Sequence, residues 1–145
     1  MKNLIWVFIV AALVVACQSA DQKSLSQEDR LKASRDSANF TSIEWLDSTS
    51  KDLGQIKEGQ VVEVTYRFKN SGNKSLVIAN VSASCGCTVP EKPEKPFAPG
   101  EEGVIRAKFD SRGRPLGTAN KDVYVIANTS PEASMRLNFK VEIVK

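Results

Sequence analysis

Histidine is absent from the 145 residues. That removes the commonest general base and the commonest metal ligand together. A Ser-His-Asp or Cys-His site within this chain is excluded with them. Methionine is confined to Met1 and Met135, and cysteine to Cys17, Cys85 and Cys87. No basic cluster exists: lysines and arginines alternate with acidic residues along the chain, and the formal net charge is only +3. Nucleic acid is therefore not indicated as a partner. No apolar run reaches the roughly 20 residues a membrane-crossing helix needs. The longest, Leu4 to Ala16, stops at Cys17.

What is there begins with that run. Lys2 gives a short positive start, the apolar stretch follows, and polar Gln18-Ser19 begins directly after Cys17. Positive, apolar, then small is the order of a secretory signal peptide. Val14-Val15-Ala16-Cys17 resembles the lipobox of bacterial lipoproteins. The resemblance implies cleavage before Cys17, acyl chains on Cys17, and a lipid-anchored mature protein in the cell envelope. Two or three acyl chains hold far more firmly than one, at about 0.8 kcal/mol per buried CH₂. Gln18 is not the Asp that retains enteric lipoproteins in the inner membrane, so the outer membrane is the expected address. The expected division is 1–16 signal peptide, 17–39 lipidated cysteine and linker, and 40–145 one globular domain.

Gln18 to Asn39 is polar, with only Ala20, Leu25, Leu31, Ala33 and Ala38 as apolar residues and no useful period. A short helix over Gln27 to Arg35 capped by Ser26 is one reading. The expected one is a solvated leash of roughly 26 Å average span.

From Phe40 the apolar period becomes two. Val62, Val64, Tyr66 and Phe68 share one face of Val61–Lys69, as do Ile105, Ala107 and Phe109 in the next clear run, and Leu137, Phe139, Val141 and Ile143 in the last. Such alternation marks half-buried strands. Leu76–Val81 and Val123–Ala127 read as further strands, and Phe40–Trp45 and Lys51–Ile56 supply shorter ones at the start. The turn residues Asn70–Lys74 predict a hairpin joining Val61–Lys69 to Leu76–Val81. Pro90, Pro93, Pro96 and Pro99 exclude a central strand or helix between Cys87 and Gly100. About seven antiparallel strands, each with one apolar face and no convincing helix, predict an all-β, immunoglobulin-like β-sandwich. Gly54, Gly59, Gly72 and Gly100 are expected at turn positions needing positive φ.

Four stretches in this order, Leu53–Gly59, Phe68–Gly72, Cys85-Gly86-Cys87-Thr88-Val89-Pro90 and Ala98–Glu101, resemble the bacterial family called domain of unknown function 1573. That family is related to the sandwiches of major sperm protein and PapD-type chaperones. The resemblance covers about Phe40 to Lys145. It implies the same sandwich in a secreted or lipid-anchored protein, and it implies no activity, because the family has none established.

Cys85 and Cys87 are the one cluster with reactive side chains. Residues i and i+2 of an extended segment project to the same side, which leaves three readings. The pair is structural, as buried thiols or a short disulfide; it is a labile disulfide used in thiol exchange; or it holds a soft ion such as Cu(I). The last lacks further ligands, and zinc would want four. No metal or cofactor is expected. Two functions follow. The first is a non-enzymatic binding or adaptor domain presented from the membrane to a protein partner in the envelope; the second is a thiol-disulfide redox protein using Cys85 and Cys87. For the first, the stretch from Cys85 to Gly100 is the expected binding loop, with Lys92, Lys95 and Phe97 at its tip. Asp36-Ser37-Ala38 and Asp47-Ser48-Thr49 resemble the Asp-Ser/Thr-aliphatic sites that one phylum of Gram-negative bacteria O-glycosylates after export. This marks Ser37 and Ser48 as candidate acceptors.

Overall fold

The computed structural model describes residues 24–145. Eight strands form two four-stranded sheets, in the orders β1-β3-β6-β5 and β2-β8-β7-β4. The strands are β1 (Ile43–Trp45), β2 (Ser50–Lys57), β3 (Val61–Asn70), β4 (Ile78–Ala83), β5 (Thr88–Glu91), β6 (Glu102–Asp110), β7 (Gly117–Ala127) and β8 (Ser134–Val144). This is the immunoglobulin-like sandwich that the alternation predicts. Val64, Tyr66, Phe68, Ile105, Ala107, Phe109, Leu137, Phe139, Val141 and Ile143 are all buried between the sheets. Burying such side chains contributes about 1.5–3 kcal/mol each before entropy is counted. Phe109 meets Phe139 edge-on across the core at 5.9 Å. The Tyr66 hydroxyl donates to the Asn138 carbonyl at 2.7 Å and ties one sheet to the other.

Three expectations are corrected. Val61–Lys69 and Leu76–Val81 are not a hairpin. β3 pairs with β1 and β6, whereas β4 pairs with β7 in the opposite sheet. The Asn70–Ser75 connection therefore crosses the end of the sandwich, where buried Asn70 donates to the carbonyls of Lys74 and Phe97. Turn composition reports a change of direction, not the sheet in which the chain continues.

Gly72 has no positive φ, although Gly54, Gly59 and Gly100 do. A Cβ at Gly72 would lie 2.1 Å from Thr41 Oγ1 and 2.6 Å from the Ser42 amide. Close approach of two chain segments, not backbone twist, requires that glycine.

The leash does not extend to Asn39. Helix α1 (Gln27–Ala33), capped by Ser26, packs on β4, and a 3-10 turn (Ser37–Asn39) follows it. The chain then crosses the end of the sandwich. The Thr41 amide donates to the Asn128 carbonyl at 3.0 Å, and the Asn128 side-chain amide donates to the Asn39 carbonyl at 2.6 Å. The N-terminal segment thus closes one side and one end of the domain before it becomes β1.

At the other side the first strand is divided between the sheets. β1 pairs antiparallel with β3, and β2 pairs parallel with β8. Asp47 sits at the crossing. It accepts from the backbone amide of Arg67 at 3.0 Å, from the Arg67 guanidinium at 2.8 Å and from Lys51 at 3.2 Å.

Candidate functional site

Cys85 and Cys87 lie between β4 and β5 and are joined in a disulfide, with Cα atoms 5.3 Å apart. Cys87 belongs to the core cluster and is 4% exposed; Cys85 is half-buried and packs against that cluster. The Cys87 carbonyl accepts from the Asp110 amide at 2.9 Å, which carries the turn directly onto the β5–β6 ladder. The bridge therefore fixes where the proline-rich segment leaves β4. Among the described residues no group of three His, Cys, Asp or Glu side chains converges as a metal site would require.

The predicted binding loop is rearranged. Its first four residues after the bridge are β5, an edge strand on β6. Pro90 is accommodated because an edge strand needs no outward amide. Phe97 is not at a tip. It meets Phe68 edge-on at 4.9 Å, forms an isolated antiparallel bridge with Leu76, and packs against the core. An aromatic among charged neighbours reads as a contact surface in sequence, yet burial of its ring between two strands wins. Lys92 is half-buried and bonds Gln27 of α1 at 2.5 Å; Lys95 alone of the three remains exposed. On the outer face of this sheet Glu91 pairs with Lys108 at 2.8 Å, and Lys108 holds that carboxyl below its ordinary range.

Sequence reasoning missed Arg30. Its guanidinium is 1% exposed and donates to the carbonyls of Leu25 (3.0 Å), Ile78 (3.1 Å), Pro93 (3.0 Å) and Glu94, and to the Glu94 carboxylate at 3.2 Å. Gln27 adds a bond to the Ala79 carbonyl at 3.2 Å. The helix is held by polar anchors between β4 and the proline-rich segment. No apolar period announces such docking, and one arginine in a polar stretch carries no signal of it.

On the far side, Ser42, the β1 residues Ile43 and Trp45, the Thr129–Glu132 turn and Met135 of β8 line a groove enclosing about 340 Å³. Ile43 and Trp45 are half-buried against the core, and Met135 is buried. Glu132 is exposed at its rim.

Of the modification sites, Ser37 is exposed in the 3-10 turn. Ser48 is exposed too, but its hydroxyl donates to the Ser50 carbonyl at 2.7 Å. Cys17 lies outside the described residues. No helix among the described residues is long and apolar enough to cross a membrane.

A family model described as protein of unknown function (DUF1573) matches residues 43–143. Among solved structures, a protein of unknown function from Porphyromonas gingivalis W83 is similar at 20% identity and TM-score 0.64, covering 74% of this chain and 49% of that one. The chain thus spans about half the length of that protein. The seventh PapD-like domain of human CEP192 is similar at 12% identity and TM-score 0.54, over 74% of this chain and 88% of that domain. The Vibrio cholerae VesB protease is similar at 15% identity and TM-score 0.51, over 74% of this chain and 32% of its own. At these identities the likeness is one of fold. No curated protein matches the chain.

Proposed function

Because the chain belongs to the DUF1573 family, for which no activity is assigned, we propose that it acts as a lipid-anchored, non-enzymatic binding domain of the cell envelope. In this reading Cys17 carries the lipid, the outer membrane is the host, and the partner is a protein. The observation that carries it is the position of the Cys85–Cys87 bridge. The one reactive pair in the chain is closed, with Cys87 packed in the core at 4% exposure and Cys85 half-buried against it, which restricts access to both sulfurs. A disulfide used for exchange has to present a sulfur to an incoming thiolate. Here the bridge instead sets the exit of the segment to which Arg30 fastens the N-terminal helix. The polar N-terminal stretch supports anchoring, since acyl chains at Cys17 would leave the sandwich in water.

The test is made in intact cells. Cysteines are alkylated on lysis, and the redox state of Cys85 and Cys87 is read by mass alongside photo-crosslinking of surface positions. A single disulfide state with reproducible non-covalent neighbours captured by the crosslinker is expected. A mixture of thiol and disulfide, with clients trapped as mixed disulfides, would establish the exchanger instead. Cys17→Ser should leave the signal uncut or release the protein from the detergent phase; processing and partitioning like wild type would refute the anchor.

A further inference from the structure

We infer that the groove between β1 and the first half of β8 is a site for an extended peptide segment of a partner protein, which adds to β8 as an extra strand. The inference rests on the binding-domain reading above and names its site.

The two sides of the sandwich are treated differently. On the β4/β5 side, α1 supplies donors to the edge carbonyls of Ile78 and Ala79. Pro90 removes one amide from β5. On the β1/β8 side nothing comparable is present among the described residues. β2 pairs with β8 only from Asn138 onward, so Ser134 to Leu137 have β7 on one side and no strand on the other. The phase of the ladder shows which backbone groups are left. The Asn138 amide points away from β7 and donates to Thr49 at 2.8 Å. Antiparallel pairing alternates inward and outward groups. Ser134 and Arg136, in phase with Asn138 and without a bulge between, therefore turn their amides and carbonyls to the same side.

β1 has the complementary geometry. The Ser42 carbonyl accepts from the amide of Ser71, just past the end of β3, and the Leu46 amide donates to the Arg67 carbonyl within it. Ile43 and Trp45, out of phase with them, turn their backbone groups away from β3. Two open edges thus border one groove, and its floor is Ile43, Trp45, Pro131 and Met135.

What such a groove selects follows from its chemistry. Outward amides and carbonyls spaced two residues apart are matched by a peptide backbone, the main-chain mode of strand addition. Four residues of open edge span about 13 Å, which suits a segment of four or five residues. An apolar side chain fits between Trp45 and Met135. Glu132 at the rim favours a lysine or arginine beside it. A second copy docking edge to edge would offer Ser134 and Arg136, while its Met135 and Leu137 stay buried in its own core and cannot fill the groove. A different protein is therefore the occupant.

The experiment uses the full-length chain in detergent and a synthetic eight-residue peptide alternating lysine with valine or leucine. A twin peptide is N-methylated at alternate positions. Binding is followed by fluorescence of a label on the peptide and by amide exchange of the protein. The expected result is slowed exchange at Ser134 and Arg136, with Val89 of β5 unchanged. N-methylation should weaken binding by about tenfold or more, and Glu132→Lys should weaken it in the same sense. Equal binding of the two peptides, protection elsewhere, no binding at all, or protection of Ser134 and Arg136 through self-association without peptide would each overturn the site. In cells, Ser134→Pro removes one outward amide without touching the β7 ladder. Loss of the crosslinked partner by this variant, with its fold intact by circular dichroism, supports the groove. If the partner is retained, the groove is wrong and the binding-domain reading stands; if wild type captures none, that reading itself fails.

Discussion

Arg30 reaches from the N-terminal helix to the carbonyl of Ile78 on the edge of β4, at 3.1 Å, with its guanidinium 1% exposed. The helix has seven residues, well short of the length at which an isolated helix holds in water. Its presence depends on this arginine. Arg30→Met is expected to lower the unfolding free energy by about 2 kcal/mol or more, since several carbonyls lose a charged donor at once. Undocking of residues 24–40 limits that loss, because water then reaches the freed groups. Arg30→Lys should not rescue it, for one ammonium cannot serve carbonyls arranged around a planar fork. Denaturant melts and limited proteolysis of the first twenty described residues check this. Wild-type resistance in both variants would contradict it.

Asp47 gives a pH dependence. Hydrogen bonds from the side chain and backbone of Arg67, with help from Lys51, hold its carboxyl well below the ordinary value of 3.8. A group whose folded value is depressed contributes fully above the unfolded value and loses that contribution as pH falls through the folded one. Wild type should therefore exceed Asp47→Asn in denaturation midpoint near neutral pH, and the difference should shrink steadily once the pH drops below about 4. A difference independent of pH would show that the charge of Asp47 plays no part in holding the β1–β2 crossing. Added salt should reduce the difference as well, because Arg67 is largely exposed.

Gly103 and Gly86 form a matched pair of substitutions. A Cβ at Gly103 would stand 2.4 Å from the Phe68 ring and 2.5 Å from that of Phe97, whereas nothing lies within 4 Å at Gly86. Gly103→Ala is expected to destabilise by about 1–3 kcal/mol through overpacking. Gly86→Ala should change stability by less than about 0.5 kcal/mol. Thermal melts of the two variants side by side provide the check.

Of the two candidate glycosylation sites, we expect Ser37 to be the better acceptor. Asp36 caps the 3-10 turn and holds it on the surface, with Ser37 exposed. In the other triplet Asp47 is engaged by Arg67 and Lys51, and Ser48 closes its own turn. An intact mass from native cells should carry glycan that Ser37→Ala removes and Ser48→Ala does not. A mass equal to lipid plus polypeptide alone would exclude both.

The long alternating runs are legible in the sequence: β3, β6 and β8 bury the faces their sequences predict, because period two leaves one register in which three or four apolar side chains face inward. Connections were less legible. Asn70–Lys74 shows its turn chemistry plainly, yet a turn within a sheet and a crossing between sheets use the same residues. The helix was visible only as Ser26 before a polar run, since its docking relies on Arg30 and Gln27 and not on an apolar stripe. Phe97 reads as a loop-tip residue in sequence, because the side chains that decide its burial come from Phe68 and Leu76, more than twenty residues earlier. The groove at β8 could not be read at all, because it depends on where β2 stops.

The parallel pairing of β2 with β8 sets Ser50 beside Asn138. A chain delivered one end first by the ribosome holds β2 for most of its synthesis with no partner to receive it. Pairings between distant parts of a chain are also slow to form. The sandwich therefore cannot close before β8 has been made. Synthesis and folding are thereby separated in time: the second sheet takes its order only when β8 arrives.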